Sequence, residues 1–418
     1  MPKSLSTEEK IRILIAQADR DAEGQGGPGV GASRFRARQP LDPFNIRNLS
    51  DRGFGATRIF RILLTNACAF DCAYCPMRAG RDLPRHALSP ALLADAFLTA
   101  YQKRWADGLF VTSGIPKNPR WAMDRMIELV EILRFQHHYA GYLHAKAVSG
   151  AEPEQVERLA LLCDRISYNL EVVCQATLER VAPEKSYARG IELLERVRAV
   201  AQNAGPRRLA GDPRPPGAAV AAGATTQIVV GLGNETDREV LAATQRLWRE
   251  KTIHHPHFAA FRPIESTPLE NAPETPSARE QRLYQADYLL RRYGFGPEEL
   301  VYRESGNLPL SRDPKLTWAL AHPDRFPVEI TTAAREDLLR VPGVGPRSAG
   351  RLLELRRGAA NVTAADVRHC GAAAARAAGF LSWRGRVLGE RDFQDPLFTP
   401  EDIPQKSRIY DFSPGTFR

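Results

Sequence analysis

The stretch that decides the fold is Asn66-Ala67-Cys68-Ala69-Phe70-Asp71-Cys72-Ala73-Tyr74-Cys75-Pro76-Met77. Three residues separate Cys68 from Cys72 and two separate Cys72 from Cys75, so the three thiolates can all reach one metal cluster. A cubane cluster has four irons, and three cysteines therefore leave one iron without a protein ligand. An open coordination position is typical of a reactive site rather than a structural one.

Zinc is the alternative occupant, because structural zinc sites also use closely spaced cysteines. Such a site needs a fourth ligand nearby, and the next histidine is His86, in a predicted polar loop. Cys163, Cys174 and Cys370 each lack a cysteine at ligand spacing, so we interpret them as buried apolar residues. Cysteines spread in this way do not make a disulfide framework, which favours a reducing compartment and predicts a cytoplasmic location.

A hydrophobic run at 59–64 precedes the cysteine loop and predicts a strand that ends at the loop. The carboxyl ends of strands are where α/β folds hold their chemistry. From about residue 58 to residue 293 strand-like and helix-like runs alternate six times, which predicts an α/β fold with a partial, TIM-like (β/α)6 barrel. The predicted strands are 59–64, 109–112, 142–145, 165–170, 227–230 and 258–261, and the predicted helices are 90–104, 121–136, 153–163, 188–202, 237–250 and 277–293.

Composition divides the rest of the chain. A Pro-, Gly- and Ala-rich segment interrupts the barrel and is predicted to be disordered, because it cannot bury a core face. A polar, Arg-rich stretch at 33–55 is expected to form a loop over the barrel entrance. The predicted parts are an N-terminal helix and Gly-rich linker at 1–50, the barrel at 51–295 with the insertion at 204–224, a connecting segment at 296–330, a small all-α domain at 331–380 and a tail at 381–418.

Charge and hydropathy limit the possible partners. The chain is 43% apolar and 26% charged, which is ordinary for a globular protein. It has no apolar run of about 18 residues and no signal-peptide pattern at its start, so we expect neither a membrane span nor export. The net charge of +9 favours polyanionic partners such as nucleic acid, although an Arg-rich genome would give the same excess.

The cysteine spacing, with the aromatic Tyr74 directly before the last cysteine, resembles the radical S-adenosylmethionine (SAM) superfamily. The resemblance implies a [4Fe-4S] cluster held by Cys68, Cys72 and Cys75, with the amino and carboxylate groups of SAM on the open iron. It also implies reductive cleavage of SAM to methionine and a 5′-deoxyadenosyl radical, and therefore an electron donor such as flavodoxin or ferredoxin. The partial barrel is the architecture that the resemblance implies.

Small and polar residues at other strand ends are the candidate SAM contacts. Ser113 and Gly114 follow the second predicted strand, where many members of the superfamily carry Gly-Gly-Glu; a glycine needed only for a tight turn is the alternative. Gly231, after the fifth predicted strand, resembles the adenine-contacting stretch of the superfamily.

The fourth predicted strand carries the other polar candidates. Asn169 and Glu171 share one face of it and suit the ribose hydroxyls or the amino group of SAM, with an internal salt bridge as the alternative. Lys146 is the expected internal partner of Glu171 and is also a candidate for the SAM carboxylate.

Residues 334–356 resemble the helix-hairpin-helix motif of DNA-binding proteins. One predicted helix ends at Pro342-Gly343-Val344-Gly345 and a second begins at about Pro346. Such a turn presents backbone N–H groups beside a helix N-terminus, which is an anion site, with packing alone as the alternative role. The predicted nucleic-acid contacts are Gly343, Val344, Gly345, Arg347 and Arg351, and a weaker echo at 366–371 predicts a second hairpin.

The chain as a whole is similar to a family described as DNA modification or repair radical SAM proteins. Besides the cysteine loop and the hairpin, the matching stretches are 164–171, 182–186, 282–287 and 313–320. The resemblance implies an enzyme that modifies or repairs DNA. Two alternatives stay open: a radical SAM enzyme for RNA, and an iron–sulfur protein of a repair complex that does not turn SAM over.

Overall fold

The computed structural model describes residues 5–18, 47–51, 55–203, 209–358 and 362–393, with only the backbone described for 47–51 and 55–57. These residues divide into two compact units. The barrel unit runs up to Asp287 and includes Tyr302–Leu310, and the C-terminal unit consists of Tyr288–Val301 and the residues from Ser311 onward. The predicted Gly-rich linker and most of the loop predicted at 33–55 lie outside the described residues.

Six parallel strands form the curled half-barrel that the alternating pattern predicts, which confirms the fold class. A further strand lies antiparallel at one edge of this sheet, and the strand order follows the chain. All five residues of β3 are buried, as expected of a strand covered on both faces. The strands are β1 Arg47–Asp51, β2 Gly55–Leu63, β3 Gly108–Thr112, β4 Tyr142–Lys146, β5 Arg165–Ser167, β6 Ala224–Val230 and β7 His255–Ala260.

Helices connect these strands, and local sequence fixes where several of them begin. Ser89 and Asn118 cap their helices through side-chain oxygens, each followed by a proline at the first helical position. Thr236 and Glu239 form a capping box. The helices are α1 Thr7–Ala18, α2 Pro90–Gln102, α3 Pro119–Glu131 with a π-helical extension at Ile132–Gln136, α4 Pro153–Leu162, α5 Gln175–Val181, α6 Tyr187–Asn203, α7 Asp237–Arg249 and α8 Ser277–Arg292.

The prediction of a loop at 33–55 is wrong for residues 47–51. Residues 47–51 pair with β2 as the antiparallel strand β1. Their sequence, Arg-Asn-Leu-Ser-Asp, lacks the β-branched and aromatic residues that mark strands, so backbone pairing with β2 makes this strand.

The disordered segment predicted at 204–224 is also wrong for residues 209–223. Arg214 is only 3% exposed and forms an ion pair of 2.8 Å with Asp212. Val220 is buried, and its N–H donates to the carbonyl of Cys163 at 2.9 Å. The low-complexity composition of this segment does not reveal Arg214 and Val220 as buried residues, because each is a single residue among prolines, glycines and alanines.

The two predicted helical pairs form within residues 331–380, where the sequence predicts an all-α domain. Three short strands outside that range form a sheet with Leu381–Trp383 in the middle, and they are too short to show an alternating pattern in the sequence. Leu381, Leu388 and Phe393 are fully buried, so the first part of the predicted tail belongs to this core. The elements are α9 Pro314–Ala321, β8 Val328–Glu329, α10 Arg335–Arg340, α11 Pro346–Gly358, α12 Ala364–His369, α13 Ala374–Ala377, β9 Leu381–Trp383 and β10 Arg386–Val387.

None of the helices in the described ranges has both the length and the apolar character needed to cross a membrane.

Candidate active site

The cysteine loop follows β2 at the carboxyl end of the sheet, where the sequence predicts it. It is tied to the end of β3, since the Ala69 N–H donates to Ile115 O at 2.6 Å and the Gly114 N–H donates to Thr65 O at 2.8 Å. A Cβ at Gly114 would lie 2.2 Å from the carbonyl oxygen of Ala67. Gly114 is therefore required for this close approach of two backbones.

Arg85 holds the cysteine loop together from inside. Its guanidinium donates to four backbone carbonyls, those of Asn66, Met77, Arg78 and Arg81, at 2.7 to 2.9 Å. Only arginine offers enough donors in a fixed planar fork for such an arrangement. Sequence reasoning missed Arg85, because nothing distinguishes it from the other arginines of a polar loop.

Asn66 closes the loop at its other end. Its side chain is fully buried, donates to Pro84 O at 2.9 Å and accepts from the His86 N–H at 2.6 Å. The backbone of His86 thus helps to shape the loop.

Cys68, Cys72 and Cys75 all line one cavity of about 910 Å³ at the carboxyl end of the barrel. Burial raises the pKa of the Cys72 thiol to about 11 and that of the Cys75 thiol to about 12. Deprotonated sulfurs here need a cationic partner, as a metal cluster provides.

An apolar cluster surrounds the cysteines and limits access of water. It contains Val172, Leu178, Val181, Leu232 and Phe261, with the rings of Phe70 and Tyr74 packed against it. Among the described residues, no three His, Cys, Asp or Glu side chains form a group that could hold a metal ion. A [4Fe-4S] cluster does not need three side chains on one metal ion, because each of its cysteines binds a separate iron.

Glu171 forms an ion pair with Lys185, which the sequence did not predict, and the expected contact with Lys146 stays a prediction. The Lys185 ammonium donates to Glu171 Oε1 at 2.6 Å and to the Tyr74 hydroxyl at 3.3 Å. Burial lowers the pKa of Lys185, but the Glu171 carboxylate, Tyr74 and Cys72 together outweigh burial and hold this pKa well above its ordinary value. Lys185 belongs to a stretch that carries the family resemblance, yet the sequence does not show which carboxylate it meets.

Three buried acceptor oxygens on the cavity wall have no hydrogen-bond partner among the described residues: Asn169 Oδ1, Glu171 Oε2 and Gln227 Oε1. Buried polar atoms are normally paired, because leaving one unpaired costs about 1–3 kcal/mol. A ligand in this cavity must therefore bring several N–H or O–H donors. Gln227 was not predicted, although an amide side chain directly before the apolar end of β6 was a usable signal.

The other predicted SAM contacts divide into two groups. Ser113, Gly114 and Lys146 line the cavity, and Lys146 is 6% exposed. Gly231 is not on the cavity wall. Its φ is +95°, and a Cβ there would lie 1.9 Å from Thr275 Oγ1, so it is required for backbone conformation and packing.

All six cysteines are free. Cys163 and Cys370 are buried, as expected, whereas Cys174 is exposed and the prediction for it was wrong. Cys174 lies at the beginning of α5, where its backbone, not its side chain, is paired with the helix.

The predicted hairpin forms between α10 and α11 in the C-terminal unit. Gly343 has a φ of +82°, and a Cβ there would lie 2.5 Å from Ala373 O. Arg347 and Arg351 are exposed and four residues apart, on the same side of α11. Val344 differs from the prediction, because its side chain is buried and its N–H donates to Val341 O at 3.1 Å.

Lys315 supports this turn and was not predicted. It is 7% exposed and donates to Val344 O at 2.6 Å, with its ammonium 4.5 Å from the centre of the Tyr293 ring. Burial lowers its pKa to about 7. The buried lysine fixes the turn from the core side.

The second hairpin joins α12 to α13 through Gly371, whose φ is +89°. The first turn contacts the start of α13, since the Ala373 N–H donates to Gly343 O at 2.9 Å. A Cβ at Gly371 would lie 3.7 Å from a guanidinium nitrogen of Arg351. The two turns therefore belong to one packed arrangement.

Comparison with solved structures gives remote similarity. HydG, the FeFe-hydrogenase maturase from Carboxydothermus hydrogenoformans, is 14% identical over 56% of this chain and 51% of its own, with a TM-score of 0.42. Methylornithine synthase (PylB) is 14% identical over 56% of this chain and 61% of its own, with a TM-score of 0.43. The chain thus spans roughly half to three-fifths of these structures. No curated protein matches it.

The family comparison is more specific. Residues 62–208 match the model described as the Radical SAM superfamily. This region contains the three cysteines of the loop together with Asn169, Glu171 and Lys185. Residues 62–208 are therefore a radical SAM enzyme domain, whose cofactors are a [4Fe-4S] cluster and S-adenosylmethionine.

Proposed function

We propose that the chain cleaves SAM reductively and uses the resulting radical to modify or repair DNA, in the cytoplasm. The observation that carries the cleavage is the single cavity that holds three cysteines and three unpaired acceptors. The observation that supports DNA as the substrate is the Gly343 turn with two exposed arginines beside it.

The residues of the cavity fit both cofactors. Three cysteine sulfurs face it, which is the donor set for three of the four irons of a cubane. Its unpaired acceptors are Asn169 Oδ1, Glu171 Oε2 and Gln227 Oε1, and SAM brings an ammonium and two ribose hydroxyls as donors. When bound, the cluster and SAM together supply a 5′-deoxyadenosyl radical after delivery of one electron.

The protein's own residues bind, orient and exclude water. Lys146, at the end of β4, places a cation on the cavity wall for the SAM carboxylate. Ser113 donates to the Gly114 carbonyl at 2.7 Å and shapes the end of β3 beside the cysteine loop. Phe70 and Phe261 keep the surroundings of the cysteines apolar, which protects a radical from water.

A DNA backbone suits the hairpin for electrostatic reasons. The net charge is +9, and Arg347 and Arg351 are exposed on α11 directly after the turn. The N-terminus of α11 adds a positive end of a helix dipole for a phosphate. Contacts of this kind position a duplex without reading its sequence. An electron donor of the flavodoxin or ferredoxin type completes the proposed set of partners.

The test is anaerobic reconstitution of the full chain, followed by reduction and addition of SAM. We expect 5′-deoxyadenosine, with more of it when duplex DNA is present. Absence of 5′-deoxyadenosine with DNA and with RNA would reject the enzymatic function and favour an iron–sulfur protein of a repair complex. Stimulation by RNA alone would favour the RNA-modifying enzyme, which shares the same phosphate contacts.

A further inference from the structure

We infer that Lys185 is a positioning residue that fixes Glu171 for SAM and so links the cysteine loop to the cofactor cavity. This inference rests on the SAM binding proposed above. It concerns a residue whose partners come from two separate parts of the barrel unit: Tyr74 in the cysteine loop and Glu171 beside β6.

The backbone of Glu171 is held in an unusual conformation. Its φ is +67°, in the left-handed region, which strains the backbone of a non-glycine residue. Hydrogen bonds to β6 maintain it, since the Glu171 N–H donates to Gln227 O at 3.0 Å and its carbonyl accepts from the Val229 N–H at 2.7 Å. The side chain is thereby directed to the cavity wall, where Glu171 is 3% exposed.

The two oxygens of the Glu171 carboxylate have different surroundings. Oε1 accepts from Lys185 at 2.6 Å, and in the part of the chain that the structure describes Oε2 has no hydrogen-bond partner. Lys185 therefore neutralises the buried charge and fixes the carboxylate plane while Oε2 stays available for a ligand donor. Loss of Lys185 would remove this ion-pair partner from a buried carboxylate, which is costly.

Lys185 is itself fixed to the cysteine loop by its neighbours. The Ala73 N–H donates to Val181 O at 2.7 Å, and the Asp71 N–H donates to Glu184 Oε1 at 2.9 Å. The segment 181–185 is therefore hydrogen-bonded to the cysteine loop. Lys185, at the end of this segment, connects it to the Glu171 carboxylate.

The test is a double-mutant cycle on the full chain, reconstituted anaerobically with its cluster and kept unreduced. The probe is SAM, and calorimetry gives its dissociation constant for the wild type, Lys185→Met, Glu171→Gln and the double variant. Iron content and visible absorption are measured in parallel, because they report the cysteine loop separately from the cavity.

Each single substitution is expected to weaken SAM binding roughly tenfold or more, the typical value of a hydrogen bond to a charged group, with wild-type iron content. The double variant should bind SAM no more weakly than Lys185→Met alone, because both changes remove one shared contact. Lys185→Arg keeps the charge and should recover part of the affinity.

Losses that multiply in the double variant would overturn the inference, because Lys185 would then contact SAM by itself. Loss of iron from Lys185→Met would also overturn it, since the lysine would then serve the cysteine loop alone. If Lys185→Met does not fold, Glu171→Gln decides: wild-type SAM affinity in that variant contradicts the inference. A wild-type chain that binds no SAM would reject the proposed function instead.

Discussion

The cysteine loop of the barrel unit and the Gly343 turn of the C-terminal unit are both short connections, but different contacts hold them. The cysteine loop is fixed by residues distant in sequence, such as Glu184, which accepts from the Asp71 N–H 113 positions away. The Gly343 turn lies between two adjacent helices, has a positive φ at its glycine, and is supported by Lys315 and Ala373 of the same unit. The cysteine loop therefore depends on contacts from many elements of the barrel unit, whereas the turn depends on a glycine conformation and a few supporting residues.

The largest expected effect is in the cysteine loop. Cys72→Ala removes one of three iron ligands, so we expect loss of the brown chromophore and of all SAM cleavage. Cys174→Ala is the matched control, because Cys174 is exposed and is not on the cavity wall. Iron analysis and visible spectra check this prediction, and an unchanged iron content in Cys72→Ala would contradict it.

Arg85→Ala should have the next largest effect, because four carbonyls lose their donor at once. We expect less than half of the wild-type iron content and destabilisation by about 3 kcal/mol or more. Arg85→Lys should recover little, since an ammonium cannot form the planar fork. Arg12→Ala, at an exposed position of α1, is the control. Full iron content in Arg85→Ala would show that the loop forms without this residue.

The turn of the C-terminal unit offers a matched glycine pair. Gly343→Ala should cost about 2–3 kcal/mol, because the residue has a positive φ and its Cβ would meet a backbone oxygen. Gly350→Ala, where a Cβ meets nothing within 4 Å, should be neutral or stabilising by about 1 kcal/mol. Urea unfolding compares the two. Iron content should stay unchanged in both variants, and a loss in Gly343→Ala would break the contrast between the two regions.

The pH dependence of stability tests the lysine beneath this turn. Burial lowers the pKa of Lys315 from 10.5 to about 7, with Arg376 and Arg340 acting in the same direction and Asp313 against them. Between these values the unfolded chain binds a proton that the folded chain does not. Stability should therefore rise with pH across this window, by at most about 1.4 kcal/mol per pH unit.

Lys315→Met lacks this titration. The difference in unfolding free energy between the wild type and Lys315→Met should therefore shift in favour of the wild type from pH 7.5 to pH 10. A difference that stays constant with pH would show that Lys315 keeps an ordinary pKa in the fold.

The smallest effect is expected from the exposed arginines. Arg347→Ala with Arg351→Ala should weaken DNA binding about uniformly across sequences and lower the salt slope by about 0.9 for each lost phosphate contact. Arg196→Ala, an exposed arginine on α6, is the control. Binding measured at several salt concentrations gives the slopes. Equal slopes for the variant and the wild type would exclude these two residues as phosphate contacts.

The sequence predicts what depends on local pattern. The six parallel strands and the three cysteines follow from hydrophobic periodicity and spacing, and the helices around Gly343 follow from a proline and two glycines. Gly231 shows the limit of this reasoning. A glycine after a strand suggested a ligand contact, but the close packing of Thr275 requires it, and Thr275 is 44 positions away.

Tertiary contacts explain what could not be predicted. The sequence offers both Lys146 and Lys185 as cations, and only the folded barrel shows that Lys185 lies 2.6 Å from the Glu171 carboxylate. The fork of Arg85 and the hydrogen bond from Arg214 to Leu161 O likewise depend on the folded barrel. Such contacts leave no periodic trace in one sequence.

The central claim is that SAM binds in the same cavity as the open iron of the cluster. Electron paramagnetic resonance of the reduced, reconstituted chain, recorded with and without SAM, tests it most directly. The account predicts that SAM changes the spectrum of the cluster, because it occupies the iron that Cys68, Cys72 and Cys75 leave open. A spectrum identical with and without saturating SAM would contradict it.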